Sequence, residues 1–89
     1  MAWSGLFGKV ESSTTGTDAR TGRLIIRYMR WVGATTAGHS LIVDDTAGNV
    51  LWESEADGAN FIDILPFFEA TDGVVIDTID SGTLYIYYQ

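Results

Sequence analysis

Leu41-Ile-Val-Asp-Asp-Thr-Ala-Gly-Asn-Val-Leu-Trp-Glu-Ser54 decides the fold of this chain. Two short runs rich in β-branched and aromatic residues flank Asp45-Thr-Ala-Gly-Asn49, a cluster of turn formers. Gly48 and Asn49 both tolerate positive φ at little steric cost, as a tight reversal demands. Run, turn and run together read as a β-hairpin, His39–Asp44 against Val50–Glu55. Strict alternation in the second strand points Val50 and Trp52 one way, and Leu51, Glu53 and Glu55 the other.

The rest of the chain repeats that style. Arg23–Val32 is the longest apolar-rich run, with Gly22 and Gly33 at its ends. Leu, Met and Arg there favour helix, but Ile25, Ile26, Tyr28, Trp31 and Val32 favour strand, and strand is the expectation. Alternation leaves both of its faces mixed: Leu24, Ile26, Tyr28, Arg30 and Val32 against Arg23, Ile25, Arg27, Met29 and Trp31. Gly33–Gly38 reads as a loop of small residues, without the lysine a phosphate-binding loop needs. Phe61–Leu65 is a further strand, Ile62 and Ile64 facing away from Phe61, Asp63 and Leu65. Pro66 then removes a ladder donor and ends it. Thr71-Asp-Gly73 is expected to turn the chain into Val74–Ile79, and Asp80-Ser-Gly82 to turn it into Thr83–Tyr88. The last strand carries no charge, so it belongs inside the sheet or under a neighbour. Its Leu84, Ile86 and Tyr88 share one face; Tyr85 and Tyr87 share the other. Turn signals at this spacing predict a small antiparallel β-sandwich of six or seven strands.

Residues 1–22 differ in composition from residues 23–89, which form the expected β-sandwich domain. Ser12–Gly22 has almost nothing to bury and reads as a long loop. Ahead of it, Trp3, Leu6, Phe7 and Val10 are apolar enough to anchor somewhere. Two readings fit: an N-terminal arm reaching over its own sheet or a neighbour, or a first strand near Leu6–Glu11 joined by a flexible loop.

Eighty-nine residues make one small domain, which buries only about 60–65% of its unfolded surface. With no cysteine, neither a disulfide framework nor a thiolate zinc site is available. Stability must come from aromatic packing, strand pairing or assembly. No basic start and apolar run resembles a signal peptide, and no apolar run approaches the ~20 residues that span a bilayer. A soluble protein is expected, without membrane contact. Five cations and two acids in residues 1–43 leave +3; ten acids and no cation afterwards leave −10. A net charge of −7 argues against nucleic acid as partner. The asymmetry suits a basic surface of one copy meeting an acidic surface of another; solvated strand faces account for the same letters.

Catalytic and metal chemistry has little to work with. His39 is the only histidine; Ser40 and several aspartates surround it in sequence, but no Gly-x-Ser-x-Gly elbow occurs. Asp44, Asp45 and Asn49 are oxygen donors without the alternating pattern and closing glutamate of a calcium loop, and turn closure explains them equally. Trp31, Trp52, Tyr85 and Tyr87 suit a sugar-stacking platform, a buried core or a subunit contact. No enzyme activity, metal or cofactor is expected.

Arg30-Trp-Val-Gly-Ala-Thr-Thr-Ala-Gly-His-Ser-Leu-Ile-Val-Asp-Asp-Thr-Ala-Gly-Asn-Val-Leu-Trp-Glu-Ser54, within Ile26–Trp52 and its surroundings, and the ending Asp80-Ser-Gly-Thr-Leu-Tyr-Ile-Tyr87 resemble small proteins encoded among the structural genes of tailed bacteriophages. The resemblance spans roughly residues 23–88, and its motifs are strand-and-turn letters. It implies a structural virion protein, foremost a capsid decoration (cement) protein made in the host cytoplasm and placed on the capsid surface. Such proteins are small β-rich domains, often homotrimers, bound over joints between major capsid subunits. The implied partners are the major capsid protein and copies of the chain itself. The N-terminal extension departs from the pattern. Candidate contact residues are Trp3, Leu6, Phe7, Phe67, Phe68, Tyr85 and Tyr87, with Arg20, Arg23, Arg27 and Arg30 pairing to acids of a neighbour. The competing expectation is a tail or fibre module that binds host surface carbohydrate or a tail partner.

Overall fold

A computed structural model describes residues 8–12, 17–65 and 69–88. The fold is all-β, with seven strands: β1 (Gly8–Ser12), β2 (Thr17–Ala34), β3 (Ser40–Asp44), β4 (Val50–Glu55), β5 (Phe61–Leu65), β6 (Glu69–Ile79) and β7 (Thr83–Tyr88). Every pairing is antiparallel. Hydrogen bonding runs unbroken through one sheet in the order β1-β7-β2-β6-β3-β4, with β5 also on β2. All seven strands thus belong to a single sheet, whose inner side encloses one core.

β2 is the axis. Ile26 pairs with Tyr88 on one side and Glu69 on the other; Met29 pairs with Ile86 and Leu65 in the same way. β6 and β5 therefore occupy the same edge of β2 in succession, while β7 holds the opposite edge. The mixed faces expected for Arg23–Val32 are resolved by a β-bulge. Between Ile26 and Tyr28 the register against β7 shifts by one residue, so Arg27 is the extra residue and the phase flips. Leu24 and Ile26 before it, and Met29 and Trp31 after it, all reach the same core. A second shift between Val32 and Ala34, at Gly33 with φ +82°, turns Ala34 inward as well.

Other strands use the same device. Thr71-Asp-Gly73, expected to reverse the chain, lies within β6. Gly73 has φ +79° and sits where the β2–β6 register slips between Arg20 and Arg23. Glycine here serves a bulge, which needs the same left-handed backbone as a turn. β2 starts at Thr17, so half of the polar stretch expected to be loop is strand, its ladder supplied by β6. In β6, Asp77 is skipped in the pairing with β3, and Ile76 and Ile79 both become buried. In β4, Leu51 is skipped against β3. Val50 thereby leaves the Trp52 side, contrary to strict alternation, and is 58% exposed while Trp52 is buried.

The hairpin forms as expected. Ser40 to Val43 pair with Glu55 to Trp52. Asp45 closes the turn: its Oδ1 accepts from the amides of Ala47 (3.0 Å) and Asn49 (2.8 Å), and its Oδ2 from Asn49 Nδ2 (3.0 Å). Gly48 takes φ +90°; Asn49 needs no positive φ, and among the described residues Asn60 is the non-glycine residue that has one. Thr46 ties this turn to β6, its amide and hydroxyl donating to Asp72 O at 3.0 and 2.6 Å.

The core joins Met29, Trp31, Leu84 and Ile86 of β2 and β7 to Leu41, Val43, Trp52, Val74 and Ile76 of β3, β4 and β6. Trp31 is fully buried. Its ring meets Phe61 edge-on at 5.6 Å and its Nε1 donates to Ser81 O at 2.9 Å, which satisfies the one polar atom it carries inside. β7 lies between β1 and β2, the interior position its uncharged sequence calls for. Tyr88 lies against Gly8 so closely that a Cβ there would overlap its ring.

At the β6–β7 turn, Gly82 has φ +78°, and a Cβ there would meet Val32 O at 2.7 Å and Ala34 N at 2.9 Å. Gly82→Ala is expected to lower stability by about 2 kcal/mol, combining left-handed strain with a backbone clash. Gly58→Ala, with open space around it, should stay within about 0.5 kcal/mol. Urea unfolding midpoints of the two variants measure the difference.

Candidate functional site: the outer sheet faces

The outer side of β1, β7, β2 and β5 gathers side chains far apart in sequence. Cross-strand partners share a face, and the registers set Glu11, Tyr85, Arg30 and Ile64 in one row. Lys9, Tyr87 and Tyr28 form the next, and Thr83, Val32 and Ile62 a third. Tyr28 and Tyr87 stack with centroids 4.5 Å apart and planes 20° apart. Burial, followed by the neighbouring Tyr87, raises the Tyr28 phenol above its ordinary pKa. The Arg30 guanidinium lies over Tyr85, Cζ 4.6 Å from the ring centre, a cation–π geometry. Its Nη2 reaches Tyr87 Oη only at 3.5 Å, and its buried Nε has no acceptor among the described residues. Lys9 Nζ stands 3.8 Å from Glu11. Beside this cluster Ile62 and Ile64 are 58% and 56% exposed, while Phe61 and Leu65 of the same strand pack on the core.

The outer side of β3, β4 and the second half of β6 is its electrostatic opposite. Ile42 pairs with Glu53 and Thr78, Ser40 with Glu55, and Asp44 with Val50 and Val75. Glu53, Glu55 and Asp77 are exposed, as is Val50. Asp44 is half-buried. Burial, then a hydrogen bond and repulsion from Asp77, then Asp45, hold its carboxyl above the ordinary range. With both carboxyls ionised, Asp44 Oδ1 is buried with no donor among the described residues; protonation supplies the hydrogen between Asp44 and Asp77. Asp45 behaves oppositely, its pKa lowered first by the Asn49 side chain and then by backbone donors. Its oxygens are thus engaged in turn closure. Both outer faces back onto one core.

His39 meets Ser81 rather than the adjacent Ser40: Nδ1 lies 2.7 Å from Ser81 Oγ, which also accepts from the Thr35 amide at 3.0 Å. Asp80 Oδ2 accepts from Ser40 N at 2.8 Å. These bonds knot the β2–β3 loop to the β6–β7 turn. Trp31 and Trp52 are core residues and take no part in a surface platform.

Of the expected contact residues, Arg30, Tyr85 and Tyr87 converge. Arg23 is exposed at the other end of β2, opposite Asp72; Arg27 is the half-buried bulge residue. Arg20 lies in β2, its side chain outside the described residues, and Trp3, Leu6, Phe7, Phe67 and Phe68 lie outside them altogether. Tyr28, Val32, Ile62 and Ile64 join the cluster without having been singled out. The spacing Ile62-x-Ile64 opposite a core-facing Phe61 and Leu65 was the signal that could have found the last two. No pocket indents the surface among the described residues. Compared with known protein families, curated proteins and solved structures, the chain matches none.

Folded Asp44 holds its proton more tightly than the unfolded chain does, so its contribution is full below 3.8 and is lost as pH rises through its folded pKa. Asp45 contributes above 3.8 and loses that contribution as pH falls through its lowered value. Asp44→Asn should raise stability at pH 7 by about 0.5 kcal/mol, the scale of one cross-strand like-charge contact. Denaturant midpoints measured from pH 7 to pH 3 should then fall more steeply in the variant than in the parent.

Proposed function

We propose that this chain is a capsid decoration protein, a non-enzymatic subunit that stabilises a tailed-phage head by binding over joints between major capsid subunits. The observation that carries this reading is the face of β1, β7, β2 and β5. Two isoleucines more than half exposed lie beside a tyrosine stack and an incompletely satisfied arginine, on a sheet whose core is already complete. Apolar surface of this kind, rimmed by polar groups, marks contact with another protein. The resemblance read in Arg30–Ser54 and Asp80–Tyr87 to phage structural proteins is what suggests a virion as that assembly. Such a face gains ~25 cal/mol for each Å² of apolar surface covered, before the cost of association. Repetition over a lattice then converts modest contacts into a durable shell through avidity.

Mass spectrometry of purified virions tests the reading. The chain should be present at a copy number comparable to the major shell subunit. A handful of copies per particle would place it in the tail instead, and absence from particles would overturn the proposal. Ile62→Thr/Ile64→Thr removes only outward-facing groups, so the variant should keep its unfolding midpoint within about 0.5 kcal/mol. Its occupancy on particles should fall about tenfold or more, consistent with losing two apolar anchors.

A further inference from the structure

The two outer faces are matched in sign and in kind. One presents Arg30, Lys9 and the Glu11 that pairs with Lys9 among Tyr28, Tyr85, Tyr87, Ile62 and Ile64. The other presents Glu53, Glu55, Asp44 and Asp77 around Val50, Ile42 and Val75. We propose that the acidic face of β3, β4 and β6 in one copy packs on the arginine–tyrosine face of β1, β7, β2 and β5 in the next. This proposal rests on the reading that the arginine–tyrosine face is covered in an assembly, and it names a second copy as the cover.

Two different patches make the contact, so it is heterologous: each copy uses both faces, giving a ring if the rotation closes and a chain if it does not. The exposed aliphatics, Ile62 and Ile64 on one side and Val50 on the other, supply apolar area. Opposite charges set orientation and exclude like-face pairing, since juxtaposed like charges cost several kcal/mol. An approaching Arg30 or Lys9 also relieves the repulsion between Asp44 and Asp77. The contact strengthens at low salt, because rim charges beyond a Debye length are screened.

Sedimentation velocity of the purified chain over a concentration series, at low and high salt, tests the proposal. The parent should associate reversibly, and more weakly at high salt. Arg30→Glu and the double variant Glu53→Lys/Glu55→Lys should each weaken association about tenfold or more, with unfolding midpoints reported alongside. Mixing the two variants should restore it, because each reversed face then meets its reversed complement in the other copy. Should Arg30→Glu fail to fold, Ile62→Thr/Ile64→Thr gives the same loss from the apolar side. A monomeric parent across the series overturns the proposal. So does association that neither reversal weakens, or that mixing fails to restore, as in a symmetric dimer through one face. Particle binding by a chain that stays monomeric sinks this inference and leaves the decoration reading standing. Self-association by a chain absent from particles does the reverse.

Discussion

Side chains alternate along a strand with a period of two, and this chain's apolar residues do not keep that period. The molecule depends on how the mismatch is resolved. Leu24 and Ile26 are out of phase with Met29 and Trp31, yet all four are buried. One extra residue at Arg27 reconciles them, and comparable insertions at Gly33, Asp77 and Leu51 do the same elsewhere. Each bulge gives up a ladder position and adds local twist. That added twist suits a sheet that must bend around its own contents. Placing Trp31 at the centre, with its indole nitrogen bonded to the Ser81 carbonyl, anchors the result.

The outer surface follows from the inner one. Once the bulges assign Leu24, Ile26, Met29 and Trp31 to the core, Tyr28, Arg30 and Val32 have no choice but to face out. β5 and β7, registered on the same stretch, then add Ile62, Ile64, Tyr85 and Tyr87. The acidic face has the same origin: Asp77 and Val50 are outward because the residues around them are phased inward. Charge segregation in the sequence thus becomes segregation in space. Arg30 and Lys9 lie on one set of strands and Glu53, Glu55 and Asp77 on another, while Arg23 stays opposite Asp72 of β6.

What was legible in the sequence is whatever depends on neighbours a few residues away. The β3–β4 hairpin, the Asp80–Gly82 turn and the last strand have the bounds their turn residues and β-branched runs announce, β3 to within one residue. What was not legible depends on distant partners. Thr17–Gly22 has no composition favouring strand; it is strand because β6 lies alongside. Thr71-Asp-Gly73 has turn letters, but a left-handed glycine serves a bulge equally well, and only the partner strand distinguishes them. The exposure of Val50 likewise follows from a register slip that no local pattern records. The cluster of Arg30 with Tyr85 and Tyr87 needed both the Arg27 bulge and the β2–β7 pairing, so three of its members were named without the reason they meet.

β7 lies between β1 and β2, although it is the last of the seven strands to be synthesised. Until it arrives, β1 has no neighbour and one edge of β2 stays open, so nothing made earlier can close the sheet. Pairing the first strand with the last raises the mean sequence separation of contacts, and such topologies fold slowly. Any intermediate without β7 therefore carries open edges on β1 and β2, and the outer face of β1, β7, β2 and β5 exists as a patterned surface only once β7 is paired.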